Sequence, residues 1–205
     1  MITERSLPPE FLEFIGSLEA AYLTHDDPIL QSGFHGGAER WRAERSPILA
    51  GIEESGDLLD ICCANGYLLA CLVQWAKERS ILIEPYGVDI GLRLIRLARL
   101  RFPGREDHFR VANVWDWVPS RRFRYVYTLY DVVPAGYLAE YVERLLARVV
   151  APGGRLIVGA YGSRSQGIPA FDVSGFLREN GFDVAGMAVG GDPPLTAFAW
   201  VDGPQ

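Results

Sequence analysis

The sequence predicts an α/β fold: a mostly parallel sheet with helices on both faces and an N-terminal helical cap, in one domain over residues 1–205. Three observations predict it. From Asp57 onward, short apolar runs alternate with longer stretches at helical spacing, the pattern of β-α units wound into a parallel sheet. A chain of 205 residues with 49% hydrophobic content can bury one core, and a single domain suits that length better than two. The first 50 residues stand apart from the alternation and hold two helical stretches, near residues 10–22 and 38–55, which read as a cap over the site.

The elements follow in order. A first strand covers residues 58–62, and the helix after it runs to Lys77 with Leu68, Leu69, Leu72, Val73 and Ala76 inward. A second strand ends in Gly87, Val88, Asp89 and Ile90. Residues 92–102 mix Leu and Arg at helical spacing and stop before Pro103 and Gly104. Residues 109–112 form a third strand and 123–130 a fourth, buried one. The next helix, 137–150, puts Leu138, Val142, Leu145, Leu146 and Val149 on one face and is broken by Pro152, Gly153 and Gly154. A fifth strand spans 156–160. A helix over 173–180 is ended by Gly181, a residue that accepts the left-handed cap conformation. Strands at 182–189 and 196–201, joined by the turn Gly190 to Pro194, form an antiparallel hairpin at the end of the sheet.

Composition narrows the function. A net charge of -6 and a pI near 5.1 give no positive field for nucleic acid, so a small-molecule partner is the default and nucleic acid is disfavoured. Clusters such as Arg121, Arg122 and Arg124, or Arg93, Arg96 and Arg99, read as solvated faces. No run approaches the ~18 apolar residues of a membrane span, and the N-terminus lacks the pattern of a signal peptide, so a cytoplasmic location without membrane contact is expected. Cys62, Cys63 and Cys71 have no metal-ligand spacing and read as reduced, buried thiols; no metal is expected. A homodimer is compatible with this reading.

In open α/β sheets, ligands bind at the carboxyl ends of the strands, so the loop after strand one is the first place to look. It reads Asp60, Ile61, Cys62, Cys63, Ala64, Asn65, Gly66, Tyr67: small residues that let a ligand approach the backbone, with Gly66 free to take a positive φ. The run resembles motif I of class I S-adenosylmethionine-dependent methyltransferases, an acidic residue followed by Gly-x-Gly-x-Gly. Cys62 and Ala64 stand where the first two glycines belong, and Gly66 holds the third.

Later features follow at the family's spacing. Asp89 ends strand two, where a carboxylate can accept hydrogen bonds from both ribose hydroxyls. Asn113, Val114 and Trp115 resemble the segment that holds adenine, by an amide or backbone edge and an apolar face. Core packing is the alternative for Trp115, and the preferred one for Trp117. Strand four ends at Leu129 and Tyr130, where the methionine part of the cofactor lies in the family, and residues 151–156 match its entry to strand five.

The resemblance covers residues 57–202. It implies a three-layer, Rossmann-like, seven-stranded sheet with a reversed last strand, S-adenosylmethionine as cofactor, and methyl transfer. The cofactor residues it implies are Asp60, Cys62, Cys63, Ala64, Asn65, Gly66, Asp89, Ile90, Asn113, Val114, Trp115, Leu129 and Tyr130. A nicotinamide fingerprint fits the loop worse, since it would put Tyr67 where helix packing asks for glycine. Asp192, Pro193 and Pro194 are similar to a DNA-methyltransferase motif but lie in the terminal hairpin, and read as a turn.

On the acceptor side, in-line methyl transfer needs alignment and exclusion of water, with a general base if the acceptor carries a proton. Asp131 and His35 are the candidates, with His25 behind them; Asp131 can equally cap the helix beginning near Pro134. The segment 32–37 is either a closing loop, with Arg40 or Arg45 meeting a carboxylate, or a plain turn. Tyr130, Tyr137 and Tyr161 either line the acceptor pocket or simply pack. The expected activity is therefore methyl transfer to a small molecule. The replaced glycines leave a second expectation, a silent binding or regulatory protein on the same fold.

Overall fold

The computed structural model describes residues 6–204, so the first five residues of the expected cap and Gln205 lie outside the described residues. Seven strands form one sheet: β1 (Gly56–Ile61), β2 (Ile83–Asp89), β3 (Phe109–Val111), β4 (Phe123–Leu129), β5 (Val150–Tyr161), β6 (Val184–Gly190) and β7 (Thr196–Asp202). Their order is β3-β2-β1-β4-β5-β7-β6. The first five run parallel, and β7 is antiparallel to both β5 and β6. The sheet is thus seven-stranded with its reversed strand at the expected end.

Helices α3 (Tyr67–Lys77) and α4 (Leu92–Arg101) cover one face, with Leu69, Leu72, Trp75, Ile95 and Ala98 buried against Leu58, Tyr125 and Ile157. Helices α5 (Leu138–Arg148) and α6 (Val173–Glu179) cover the other, where Tyr141, Val142, Leu145 and Leu177 meet Leu59, Val126 and Val158. Both faces of the central strands are therefore apolar, which is why these strands read as continuous hydrophobic runs. Strand order changes direction between β1 and β4, and the carboxyl ends of those two strands open the crevice in which the site lies.

The cap consists of α1 (Pro9–Tyr22) and α2 (Gly37–Arg45). The expected second helix was longer. It stops at Arg45 and becomes a 3-10 segment at Ser46–Gly51, because Pro47 has no N–H to continue the α-helical ladder. Strand β5 also begins earlier than expected. Val150 pairs with Phe123, the chain bulges through Pro152, Gly153 and Gly154, and pairing resumes at Arg155 opposite Tyr125. Among the described residues no helix is long and apolar enough to cross a membrane.

Gly154 fixes this bulge by close approach. A Cβ there would lie 2.6 Å from the Arg124 carbonyl oxygen and 2.9 Å from that of Ala151, both backbone atoms with little freedom to retreat. Gly154→Ala is expected to lower stability by roughly 1–3 kcal/mol in urea titration, the cost typical of overpacking. An unchanged midpoint would contradict the close approach.

Candidate functional site

A cavity of about 440 Å³ lies over the carboxyl ends of β1, β2 and β4. The loop after β1 forms its floor. Cys62 and Cys63 both donate their N–H groups to the Val88 carbonyl, at 2.8 and 3.1 Å, which turns the chain sharply off the strand. The turn requires left-handed backbone at Cys62 (φ 61°), Ala64 (φ 47°) and Gly66 (φ 72°). Only the glycine takes that conformation without steric cost; each of the other two costs on the order of 1–3 kcal/mol.

Asp89 holds the loop in place. Its Oδ2 accepts from the Ala64 N–H at 2.8 Å and its Oδ1 from the Gly91 N–H at 2.8 Å. Burial raises its pKa, and these backbone bonds pull it back. Asn65 is tied down too. Its amide donates to the Pro28 carbonyl (3.0 Å) and to Gln31 (2.9 Å), while its oxygen accepts from the Tyr67 N–H.

One end of the cavity carries a buried polar group of four. The Tyr127 and Tyr161 hydroxyls meet at 2.5 Å, and the Arg45 guanidinium lies over the Tyr161 ring, 3.5 Å from its centroid. Asp60 is 2% exposed, Arg45 5%, and both line the cavity. Among the described residues, Asp60 Oδ2 and Arg45 Nη1 make no hydrogen bond, although Arg45 Nη1 sits 3.7 Å from Glu44 Oε2. Buried polar atoms without partners are expensive, and an acid and a guanidinium lining one cavity mark a place where a ligand completes the bonding. Burial, then the charge of Asp89, raises the Asp60 carboxyl well above its usual value.

Helix α1 supplies the opposite wall through Phe14, Ile15, Leu18, Glu19 and Tyr22. Glu19 secures it, accepting from the Arg93 N–H at 2.6 Å and from Arg93 Nε at 3.2 Å. Helix α4 has no side-chain cap of its own, so Glu19 satisfies its free N-terminus from another element.

Of the cofactor and base residues expected from sequence, the cavity is lined by Asp60, Cys62, Cys63, Ala64, Asn65, Asp89, Ile90, Asn113, Val114, Leu129 and Asp131, and Arg45 and Tyr161, weighed there for other roles, line it too. Cys62 opens onto it, and enclosure, followed by the charges of Asp89, Asp60 and Asp131, pushes its thiol well up. Asn113 spends its side chain locally, accepting from the Trp115 N–H at 3.0 Å and donating to Asp116.

Four residues fall elsewhere. Gly66 faces Ala98 and Phe102 of the α4 region. Trp115 is buried in the core, edge-on to Tyr137, with Arg144 above its ring. Tyr130 stacks on Phe171, with ring centroids 4.6 Å apart. His35 is exposed beside His25. Asp131 does not cap the helix that follows: α5 begins at Leu138 after a 3-10 turn at Ala135–Tyr137, and no side chain caps either.

Glu19, Tyr22 and Tyr127 were not anticipated. A signal existed for α1: Phe14, Ile15, Leu18 and Tyr22 recur at helical spacing with no strand next to them in sequence to cover.

No protein-family model and no curated protein matches the chain. Solved structures do resemble it. Magnesium protoporphyrin IX methyltransferase (ChlM) from Synechocystis PCC 6803, with bound SAM, superposes with a TM-score of 0.64 at 14% identity, over 97% of this chain and 99% of that one. The N-methyltransferase NodS from Bradyrhizobium japonicum WM9, in complex with S-adenosyl-l-homocysteine, gives 0.60 at 16%, over 93% and 98%. The [4+2]-cyclase SpnF gives 0.56 at 15%, over 78% and 80%. The chain therefore has the Rossmann-like fold of class I S-adenosylmethionine-dependent methyltransferases.

The raised Asp60 pKa sets a pH dependence. Above the ordinary carboxylate value of 3.8 the unfolded chain releases this proton while the folded one retains it, so the ligand-free protein loses stability as pH rises toward the folded pKa. Asp60→Asn is expected to flatten that slope and raise Tm at neutral pH, by roughly 3 °C for each kcal/mol regained. Differential scanning calorimetry between pH 5 and 8 checks it, and a lower Tm for the variant would reject the assignment.

Proposed function

We propose that this chain is a methyltransferase that uses S-adenosylmethionine and acts on a small molecule. The observation that carries the reading is the pair of unpartnered buried groups, Asp60 Oδ2 and Arg45 Nη1, flanking the Tyr127 and Tyr161 hydroxyls at one end of the cavity. A carboxylate and a guanidinium together complement an amino acid, whose ammonium suits the first and carboxylate the second. At the nucleoside end, each Asp89 oxygen retains a lone pair beyond its backbone bond and can accept a ribose hydroxyl. Ile90, Leu94, Ala112 and Val114 offer apolar surface for a base. These residues fit S-adenosylmethionine. When bound, it supplies a methyl carbon made electrophilic by a sulfonium.

What the protein adds is placement and shelter. The α1 wall narrows the crevice, so charges on its buried side act in a lower dielectric than bulk water. Asp131, at the exit of β4, stands at the open mouth of the same cavity, and the protein surrounding its carboxyl raises it above the usual range, the direction a general base needs. The acidic net charge accords with a small acceptor rather than nucleic acid.

A second reading has its own observation. Left-handed Cys62 and Ala64 put side chains where glycines leave room, as in a chain that keeps the fold for another purpose. The cyclase neighbour carries other chemistry by name.

Titration calorimetry with S-adenosylmethionine and S-adenosylhomocysteine separates the two readings. The first expects binding of both, weakened at least ~10-fold, about 1.4 kcal/mol, by Asp89→Ala. Because Asp89 also anchors the loop, Asp89→Asn serves as the isosteric control. Unchanged affinity in both variants refutes the site, and no affinity for either nucleoside favours the second reading.

A further inference from the structure

The charged groups around the cavity do not balance. Among the described residues its lining contains Glu19, Asp60, Asp89 and Asp131 against a single cation, Arg45. Three of the carboxylates have assigned work. Glu19 is bound to the start of α4, Asp89 holds two backbone N–H groups, and Asp60 with Arg45 forms the end that suits an amino acid.

Asp131 is left over. Among the described residues this exposed carboxylate pairs with no cation, and its hydrogen bond comes from its own backbone. Across from it stands Tyr22, the last residue of α1, whose hydroxyl lies in the field of Asp131, Asp89 and Cys62. The remaining neighbours from that helix and the β4 exit are apolar: Leu18, Ile15 and Val132.

We infer that Asp131 and Tyr22 form a subsite for the protonated nitrogen of a small aliphatic amine, the methyl acceptor. The inference rests on the methyltransferase reading above. A carboxylate or phosphate acceptor would meet an uncompensated like charge at Asp131, with no cation on that side to offset it. An ammonium group meets a carboxylate, a hydroxyl that can accept, and apolar surface for its alkyl part. Size agrees: about 440 Å³ is near the lower end of what one drug-sized ligand occupies, so beside a nucleoside cofactor only a slender acceptor fits.

The chemistry closes. The bound ammonium gives one proton to the Asp131 carboxylate and becomes a free amine. Its nitrogen lone pair then forms the new bond to the methyl carbon as the carbon–sulfur bond breaks, and that electron pair stays on sulfur. The product is an N-methylammonium ion beside neutral S-adenosylhomocysteine, and the proton on Asp131 passes to solvent. Asp131 stands exposed at the mouth of the cavity, so a proton it takes up can pass to water, and the raised carboxyl favours holding it in the meantime.

Calorimetry on protein saturated with S-adenosylhomocysteine tests the subsite, with n-butylamine, n-butanol and butyrate as shape-matched probes. Butylamine is expected to bind at least ~10-fold tighter than either of the others. Asp131→Asn is expected to erase that preference and leave the affinity for S-adenosylhomocysteine within about twofold. In the presence of S-adenosylmethionine, mass spectrometry should find a methyl group added to the amine alone. Equal or tighter binding of butyrate or butanol, no binding of the amine, or a preference that survives in Asp131→Asn overturns the inference, and the wild-type comparison stands without the variant. Failure to bind S-adenosylhomocysteine overturns the parent reading as well; binding it without amine preference overturns only the acceptor.

Discussion

The Asp89 carboxylate is the constraint on which the site depends. One oxygen holds the loop leaving β1 and the other holds the start of α4, so a single side chain sets the separation between two elements that share no strand. Without these bonds the Ala64 and Gly91 N–H groups would face a cavity with no other acceptor recorded for them, and the left-handed residues before Asn65 would lose their anchor. The strain at Cys62 and Ala64 is tolerated because strand pairing from Val88 below and Asp89 beside it leaves the loop nowhere to relax.

That constraint also shapes the electrostatics. Fixing Asp89 in a buried position brings its charge near Asp60 and makes Asp60 harder to ionise, while Asp89 itself is held up by burial and by the charge of Glu19. The cavity therefore stores electrostatic cost in the ligand-free state and is relieved by a positively charged guest. Stability given up in this way around an empty site is a common companion of binding function.

Much of this was legible in the sequence, and what was legible was local. Alternating apolar runs place the strands and helices from Asp57 onward because burial on both sheet faces leaves a periodicity in the chain itself. Asp60 and Asp89 are readable for a related reason: a carboxylate at the end of a buried strand has few structural uses. What escaped depends on contacts between distant segments. Asn65 reads as a ligand-facing amide, yet its hydrogen bonds go to Pro28 and Gln31, which no local pattern announces. Trp115 directly follows the lining residue Val114, and Tyr130 lies between lining Leu129 and Asp131; both side chains turn away and pack against Tyr137 and Phe171 instead. The α1 wall, with Glu19 and Tyr22, becomes part of the site only through tertiary docking.

The Asn65 amide has a bearing on how such a protein can change over evolutionary time. Cap segments of this kind look exchangeable, a module that new substrates could select by swapping one N-terminal stretch for another. Here the side chain that shapes the floor of the crevice is 1% exposed and donates its amide hydrogen bonds to Pro28 and Gln31 of the cap segment, so a foreign cap would strand two buried N–H donors at the centre of the molecule. Cap and floor are thus bound to vary together, and diversification is steered toward point changes along α1, where side chains face the cavity and leave the seam intact.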